Sequence, residues 1–151
     1  MTKEDKELLK KELCTRLAYG IKCVYYGSEE ERDCVDDIDC IEVFANGNLE
    51  ISIGQYGLPI EKVKPLLRPM ASITEEEKKE LKEATCPNGT GYFDDKYLIC
   101  PMSHFGEQIS YSFMQDIISW LYAHHFDVYD LIGKGLAVAI TDKYNPYKRI
   151  W

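Results

Sequence analysis

The chain has 151 residues and a mass of 17.5 kDa, the size of one compact domain or of two small units, and its hydrophobic fraction of 45% is enough for a folded core. Eighteen Lys and Arg residues against 26 Asp and Glu residues leave a net charge of −8. This charge disfavours a protein whose whole surface follows nucleic acid, because phosphate binding depends on Lys and Arg. No apolar run approaches the roughly 18 residues of a membrane span, and the charged N-terminus lacks the apolar stretch of a secretory signal. We therefore expect a cytoplasmic protein without membrane association.

The first half of the sequence predicts one helix followed by short antiparallel strands. Leucines at helical spacing predict an amphipathic helix over residues 4–18, and Gly20 is a typical stop signal. Asn46-Gly47 is a strong hairpin signal. Strands are expected over residues 21–26, 38–44, 49–53 and 58–60. In the third of them Leu49, Ile51 and Ile53 alternate with Glu50 and Ser52, as in a strand with one solvated face. Residues 63–65, Val-Lys-Pro, are expected to turn the chain.

The second half predicts mainly helices. Thr74 and Glu77 have the spacing of a capping box, which would begin a charged helix ending near Ala84. Residues 86–106 are rich in Gly, Pro, Asn and Asp and predict a loop insertion. Apolar residues then predict a helix over residues 107–125, and a short strand is expected over 136–140.

Together these elements predict one α+β domain over residues 1–151. Its sub-region 1–73 would hold the N-terminal helix and a small antiparallel, barrel-like sheet of SH3-like or Sm-like architecture, since a few short strands must close up or pack on helices. Its sub-region 74–151 would be the helical part with the 86–106 insertion.

The cysteines give one weak indication of a metal site. Without a secretory signal we expect the six thiols to be reduced. Cys86, Cys100 and His104 have a loose metal-like spacing, but a fourth ligand and a Cys-x-x-Cys pair are missing from the sequence, so thiols that are buried or in a loop are favoured over zinc. In an oxidising compartment Cys86 and Cys100 could instead form a disulfide. The sequence has neither a Walker loop nor a GxGxxG stretch, and we predict no cofactor.

Two adjacent histidines are the candidate catalytic residues. On a helix His124 and His125 point about 100° apart, so they cannot easily share one metal ion. Asp127 could orient one of the imidazoles as an acid–base pair, which would make the protein a histidine- or metal-dependent hydrolase. A histidine at a helix C-terminus more often caps the last carbonyls, and this role is favoured over catalysis.

Two charged segments are candidate binding sites. The acidic run over residues 29–39 is interpreted as a solvated connection between strands, with a cation site or a surface for a basic partner as alternatives. Residues 61–70 are interpreted as a stiff connector that packs Leu66 and Leu67 between the two halves. Its cations could instead bind a phosphate or an acidic partner. The candidate binding residues there are Lys62, Lys64 and Arg68, and a nucleic-acid module would add Lys134, Lys148 and Arg149.

Three segments resemble a family of short, uncharacterised proteins of gut bacteria and their phages or prophages. They are LCTRLAYGIKC at residues 13–23, PIEKVKPLLRPMASIT at 59–74 and WLYAHHFDVYDLIGKGLAV at 120–138. The chain departs from the family pattern at Ala18, where the family has proline, at Tyr122, where it has asparagine, and at residues 128–130, where it has Tyr-Arg-Gly. The resemblance implies a phage or prophage origin. The loss of that arginine counts against any role of a cation at this position.

The predicted function is a non-enzymatic interaction protein of phage or prophage origin that binds a macromolecular partner or a small ligand. The alternatives are the histidine- or metal-dependent hydrolase and a nucleic-acid-binding accessory protein, the latter disfavoured by the net charge of −8. The sequence leaves the oligomeric state open, including a dimer formed through a sheet edge.

Overall fold

The fold is of the α+β class. The computed structural model describes residues 1–26, 33–46, 48–85, 92–94, 97–99, 111–141 and 143–147. The described helices are α1 (Lys3–Arg16), α2 (Glu75–Thr85) and α3 (Tyr111–Ala123). The described strands are β1 (Lys22–Tyr26), β2 (Asp33–Asp37), β3 (Cys40–Val43), β4 (Leu49–Ile53), β5 (Tyr56–Pro59), β6 (Val63–Leu67), β7 (Tyr92–Asp94), β8 (Tyr97–Ile99) and β9 (Val138–Ala139).

The chain divides into two compact units. The first comprises Met1–Arg68 and Tyr129–Trp151, and the second comprises Pro69–Val128. Residues 129–151, which the sequence placed in the second sub-region, thus belong with the N-terminal part of the chain. That the whole chain forms a single domain stays a prediction.

Helix α1 begins at a capping box, and the predicted stop signal Gly20 follows it. Thr2 is its N-cap: the Thr2 hydroxyl accepts a hydrogen bond from the Asp5 amide at 3.1 Å, and the Asp5 carboxylate accepts one from the Thr2 amide at 3.0 Å. A short 3-10 turn follows the helix, and Gly20 ends it with a φ of 68°, a conformation that glycine adopts without strain. The face of α1 that carries Leu9 and Leu13 is buried in the core of the first unit.

The first unit contains a four-stranded sheet in the order β2-β1-β6-β9. Strands β2, β1 and β6 are antiparallel neighbours, and β9 is parallel to β6. The turn predicted at residues 63–65 is therefore wrong, and so is the connector over Val63–Leu67, because this segment is strand β6. Leu66 and Leu67 are packed, as predicted, but as buried residues of this strand. The predicted solvated connection is also wrong over Asp33–Asp37, which is strand β2, while residues 29–32 of the acidic run lie outside the described residues.

The position of Pro65 explains how a proline fits this sheet. Pro65 lies opposite Cys23 of β1, and pairing with β9 begins only at Leu66. Residues of an antiparallel pair alternate between facing their partner's backbone and facing away from it. The backbone amide of Lys22 faces β6, so the amide and carbonyl of the next residue, Cys23, face away from it. Cys23 and Pro65 therefore form a pair without ladder hydrogen bonds. The amide hydrogen that proline lacks is not needed in such a pair.

The Tyr147 side chain bridges the backbones of β1 and β6 at one end of their pairing. Its hydroxyl accepts a hydrogen bond from the Lys22 amide at 2.8 Å and donates one to the Leu66 carbonyl at 3.1 Å. Continuing the register places these two residues opposite each other, so the phenol stands where a direct backbone bond would form. Burial raises the pKa of the Tyr147 hydroxyl. Tyr147 thus anchors the described part of the C-terminal segment, and Trp151 lies outside the described residues.

A three-stranded antiparallel sheet in the order β3-β4-β5 completes the first unit. The predicted alternation is confirmed, since Leu49, Ile51 and Ile53 are buried while Glu50 and Ser52 are only partly so. The predicted hairpin between β3 and β4 is also confirmed: Asn46 accepts a hydrogen bond from the Asn48 amide at 2.9 Å. None of the sheets formed by the described strands closes into a barrel, so the SH3-like or Sm-like comparison is not confirmed.

The second unit is built around α2 and α3. Thr74 and Glu77 form the predicted capping box, with hydrogen bonds of 2.9 and 3.2 Å. Leu81, Leu121 and Phe126 form its buried core. Strands β7 and β8 pair antiparallel inside the predicted insertion, whose remaining residues lie outside the described part of the chain, as do residues 107–110 of the third predicted helix.

Candidate functional site

The side of the three-stranded sheet that faces away from the core carries two opposed carboxylates. In the β3–β4 register Glu42 lies directly opposite Glu50. Directly opposed residues of an antiparallel pair point to the same face with Cβ atoms about 4.5–5.5 Å apart, and like charges in this position destabilise the sheet. We call this surface, formed by Cys40, Glu42, Glu50, Ser52 and Gly57, the outer face.

The local sequence gives Glu50 room to lie across the neighbouring strand. A Cβ atom at Gly57 of β5 would collide with the Glu50 carboxylate, so glycine at this position leaves space for that side chain. Among the described residues, no hydrogen bond or ion pair reaches the Glu50 carboxylate. Glu42 is exposed, and its Oε1 lies 3.8 Å from Cys40 Sγ, a weak thiol contact. The outer face therefore carries two carboxylates on paired strands, with that of Glu50 directed toward β5, and no described cation contacts either of them.

Exposed apolar side chains lie at the end of β3 next to this charge. Val43 is 56% exposed and Phe44 is 45% exposed. Val43 lies opposite Leu49 and thus on the core side of the sheet, but the core does not cover it. Acidic and apolar groups are therefore both accessible within a few residues of one strand.

The candidate catalytic residue His124 has the geometry of a helix cap. Its Nδ1 lies 2.9 Å from the Trp120 carbonyl oxygen, and because a carbonyl only accepts, Nδ1 carries a proton. Its ring stacks on the Trp120 indole, with centroids 3.8 Å apart. Its Nε2 lies 3.8 Å from Glu80 Oε1 on α2. The ring thus contacts the end of α3 and the side of α2.

The other two candidates follow immediately after the helix. The His125 amide donates to the Tyr122 carbonyl at 3.0 Å, and His125 has a φ of 60°, a conformation uncommon for residues other than glycine. Asp127 is buried. The acid–base role of His124, His125 and Asp127 stays a prediction.

The remaining candidate sites fall in different places. Lys62 is exposed after β5, Lys64 is partly buried within β6, and Arg68 is partly buried just after β6. Their binding role stays a prediction. The candidate metal ligands Cys86, Cys100 and His104 lie outside the described residues, as do Lys148 and Arg149. Within the described ranges no three His, Cys, Asp or Glu side chains come together as a metal-binding group.

Sequence reasoning missed the outer face. Neither Glu42 nor Glu50 was among the site residues predicted from the sequence. The signal was nevertheless present, since a hairpin centred on Asn46 places residues four positions before it opposite residues four positions after it.

Comparison with protein-family models, curated proteins and solved structures finds no match to this chain. The resemblance to gut-bacterial phage or prophage proteins thus stays a prediction. None of the helices in the described residues has the length and apolar character needed to cross a membrane.

Proposed function

We propose that the chain is a non-enzymatic binding protein whose outer face receives a basic protein partner. The observation that carries this proposal is the opposed pair of Glu42 and Glu50. Such a pair costs sheet stability, by about 0.2–1 kcal/mol on the usual scale of cross-strand pairs. A cationic side chain on the outer face would be attracted by both carboxylates. The net charge of −8 would also draw a basic partner toward the chain.

The surroundings of His124 support a binding protein over a hydrolase. Its Nδ1 proton is directed at a helix carbonyl, and one ring face is covered by Trp120. These contacts are those of a capping residue, as favoured from the sequence. We also propose a phage or prophage origin, which the sequence resemblance supports, and a cytoplasmic location.

The decisive experiment uses oligolysine as a cationic probe. Binding is measured by fluorescence anisotropy for the natural chain, for Glu42→Gln/Glu50→Gln and for the control Glu76→Gln/Glu83→Gln. The control changes two exposed carboxylates of α2 and alters the net charge equally. We expect the outer-face variant to lose about tenfold in affinity, or about 1.4 kcal/mol, the control to lose much less, and the binding to weaken with salt.

Three outcomes would contradict the proposal. Equal losses in the two variants would show that net charge alone attracts the probe. Turnover of ester or nucleotide substrates that His125→Ala abolishes would favour the hydrolase, and zinc in stoichiometric amount would favour its metal-dependent form. Salt-dependent binding of DNA or RNA that is lost in Lys62→Gln/Lys64→Gln would favour the nucleic-acid-binding protein.

A further inference from the structure

Strand β3 has one edge that no described strand pairs with. Among the described residues it pairs with β4 alone, at one end of the order β3-β4-β5. The Phe44 amide donates to the Asn48 carbonyl at 2.9 Å, which fixes the alternation of the ladder. Glu42 and Glu50 therefore exchange backbone hydrogen bonds, while the amide and carbonyl groups of Ile41 and Val43 point away from β4. We call this side of β3 the outer edge.

The side chains along the outer edge alternate in chemical character. Ile41 and Val43 lie on the core side of the sheet, opposite Ile51 and Leu49. Ile41 is partly buried against the core, and Val43 is largely exposed. Glu42, between them, lies on the outer face. A strand added at this edge would meet apolar side chains on one face and a carboxylate on the other.

The same geometry argues against a second copy of this chain as the occupant. An antiparallel pairing in which both copies use the outward backbone groups of Ile41 and Val43 would place Ile41 opposite Val43 of the other copy. Glu42 would then lie directly opposite Glu42 of that copy, next to Glu50 of each. Adding a third and a fourth carboxylate to one surface is unfavourable, since like charges across a strand pair repel. Charged residues at sheet edges commonly prevent self-association in this way.

We propose that the basic partner binds by strand addition: an extended segment that alternates apolar residues with Lys or Arg pairs antiparallel with the outer edge of β3. This inference rests on the proposed function and names its binding mode. The added backbone satisfies the outward amide and carbonyl groups of Ile41 and Val43. Its apolar side chains cover Val43, and a cation lies beside Glu42 on the outer face.

The experiment compares two synthetic peptides of equal charge. One alternates Lys and Val over about eight residues, a usual strand length, and the other carries proline in place of two central valines, so that it cannot pair along its length. Each is titrated into the natural chain, Val43→Pro and the control Val43→Thr. Proline at residue 43 removes an outward amide without removing a β3–β4 hydrogen bond, whereas threonine keeps that amide and suits a strand.

We expect the alternating peptide to bind the natural chain and Val43→Thr about tenfold more tightly than the proline peptide. In Val43→Pro this difference should disappear. Amide exchange at Ile41 and Val43 should slow when the alternating peptide binds. These results together would establish strand addition at the outer edge.

Other results would overturn the binding mode and separate it from the proposed function. If both peptides bind equally and the loss follows Glu42→Gln/Glu50→Gln but not Val43→Pro, the outer face binds cations without strand addition. If neither peptide binds, the proposed function fails together with the mode. If the chain is a dimer that Val43→Pro separates, the occupant of the edge is a second copy.

Discussion

The ion pair inside α1 gives the sharpest test of how the first unit is stabilised. Arg16 Nε lies 3.0 Å from Glu12 Oε2, and both side chains are 1% exposed. Removing one partner of a buried pair costs about 3–5 kcal/mol, because the remaining charge stays away from water. Since domains are stable by only about 5–15 kcal/mol, Arg16→Met should lose a large part of the free energy of unfolding.

A second variant distinguishes the attraction between Glu12 and Arg16 from the cost of removing their charges from water. Replacing both partners, in Glu12→Leu/Arg16→Met, removes the two buried charges together, and such exchanges are often neutral or stabilising by about 1–4 kcal/mol. We therefore expect the double variant to be more stable than Arg16→Met alone. Urea unfolding followed by circular dichroism gives the free energies, and the double-mutant cycle gives the coupling between the two residues.

The chain provides a matched control on another helix. Lys79 and Glu83 of α2 have the same i,i+4 spacing, but their side chains are 77% and 68% exposed and their charged atoms are 3.8 Å apart. Lys79→Met should change the stability by at most about 0.5 kcal/mol. Two results would refute this explanation. In one, Arg16→Met lowers the free energy of unfolding no more than Lys79→Met does. In the other, the double variant loses as much stability as the single variants Glu12→Leu and Arg16→Met lose together.

Three further predictions concern single side chains. Tyr147→Phe should lower the free energy of unfolding, measured with urea, by about 1–3 kcal/mol, because it leaves an amide and a carbonyl between β1 and β6 without their partner. The control Tyr144→Phe, at an exposed tyrosine, should lower it far less. Glu50→Gln should raise the unfolding free energy by about 0.2–1 kcal/mol by removing the repulsion across β3 and β4, and a loss of stability would contradict the opposed-carboxylate geometry. Burial raises the pKa of the Cys23 thiol to about 12, so at pH 8 iodoacetamide should modify the exposed Cys14 and leave Cys23 intact in the folded chain, unless the core opens readily.

The sequence predicted best those elements whose signals are local. The capping box of Thr74 and Glu77 and the alternation of Leu49, Ile51 and Ile53 depend on neighbouring residues alone, and both are confirmed. Strand β6 was missed because a proline such as Pro65 normally interrupts a strand within a sheet. Its tolerance depends on which edge of the strand its nitrogen faces, and only the pairing partners decide that.

Strand β2 and the outer face depend on partners in the same way. Asp33–Asp37 has a low intrinsic preference for strands, and its pairing with β1 outweighs that preference. The outer face required the β3–β4 register in addition to the hairpin signal at Asn46. The cap position of His124 was within reach of the sequence, whereas its stacking on Trp120 and its approach to Glu80 depend on how α2 and α3 pack.

The docking of Tyr147 also bears on the order in which the chain folds during synthesis. Residues 69–128 form a continuous unit, so its contacts can form as soon as they leave the ribosome. The β1–β6 boundary must wait until residue 147 has emerged, long after both strands have been made. Until then, Val24 and Leu66 lack the cover that Ile140 and Tyr147 provide. A released chain that is truncated before residue 138 should therefore be more exposed to proteases and chaperones in its N-terminal part than in residues 69–128.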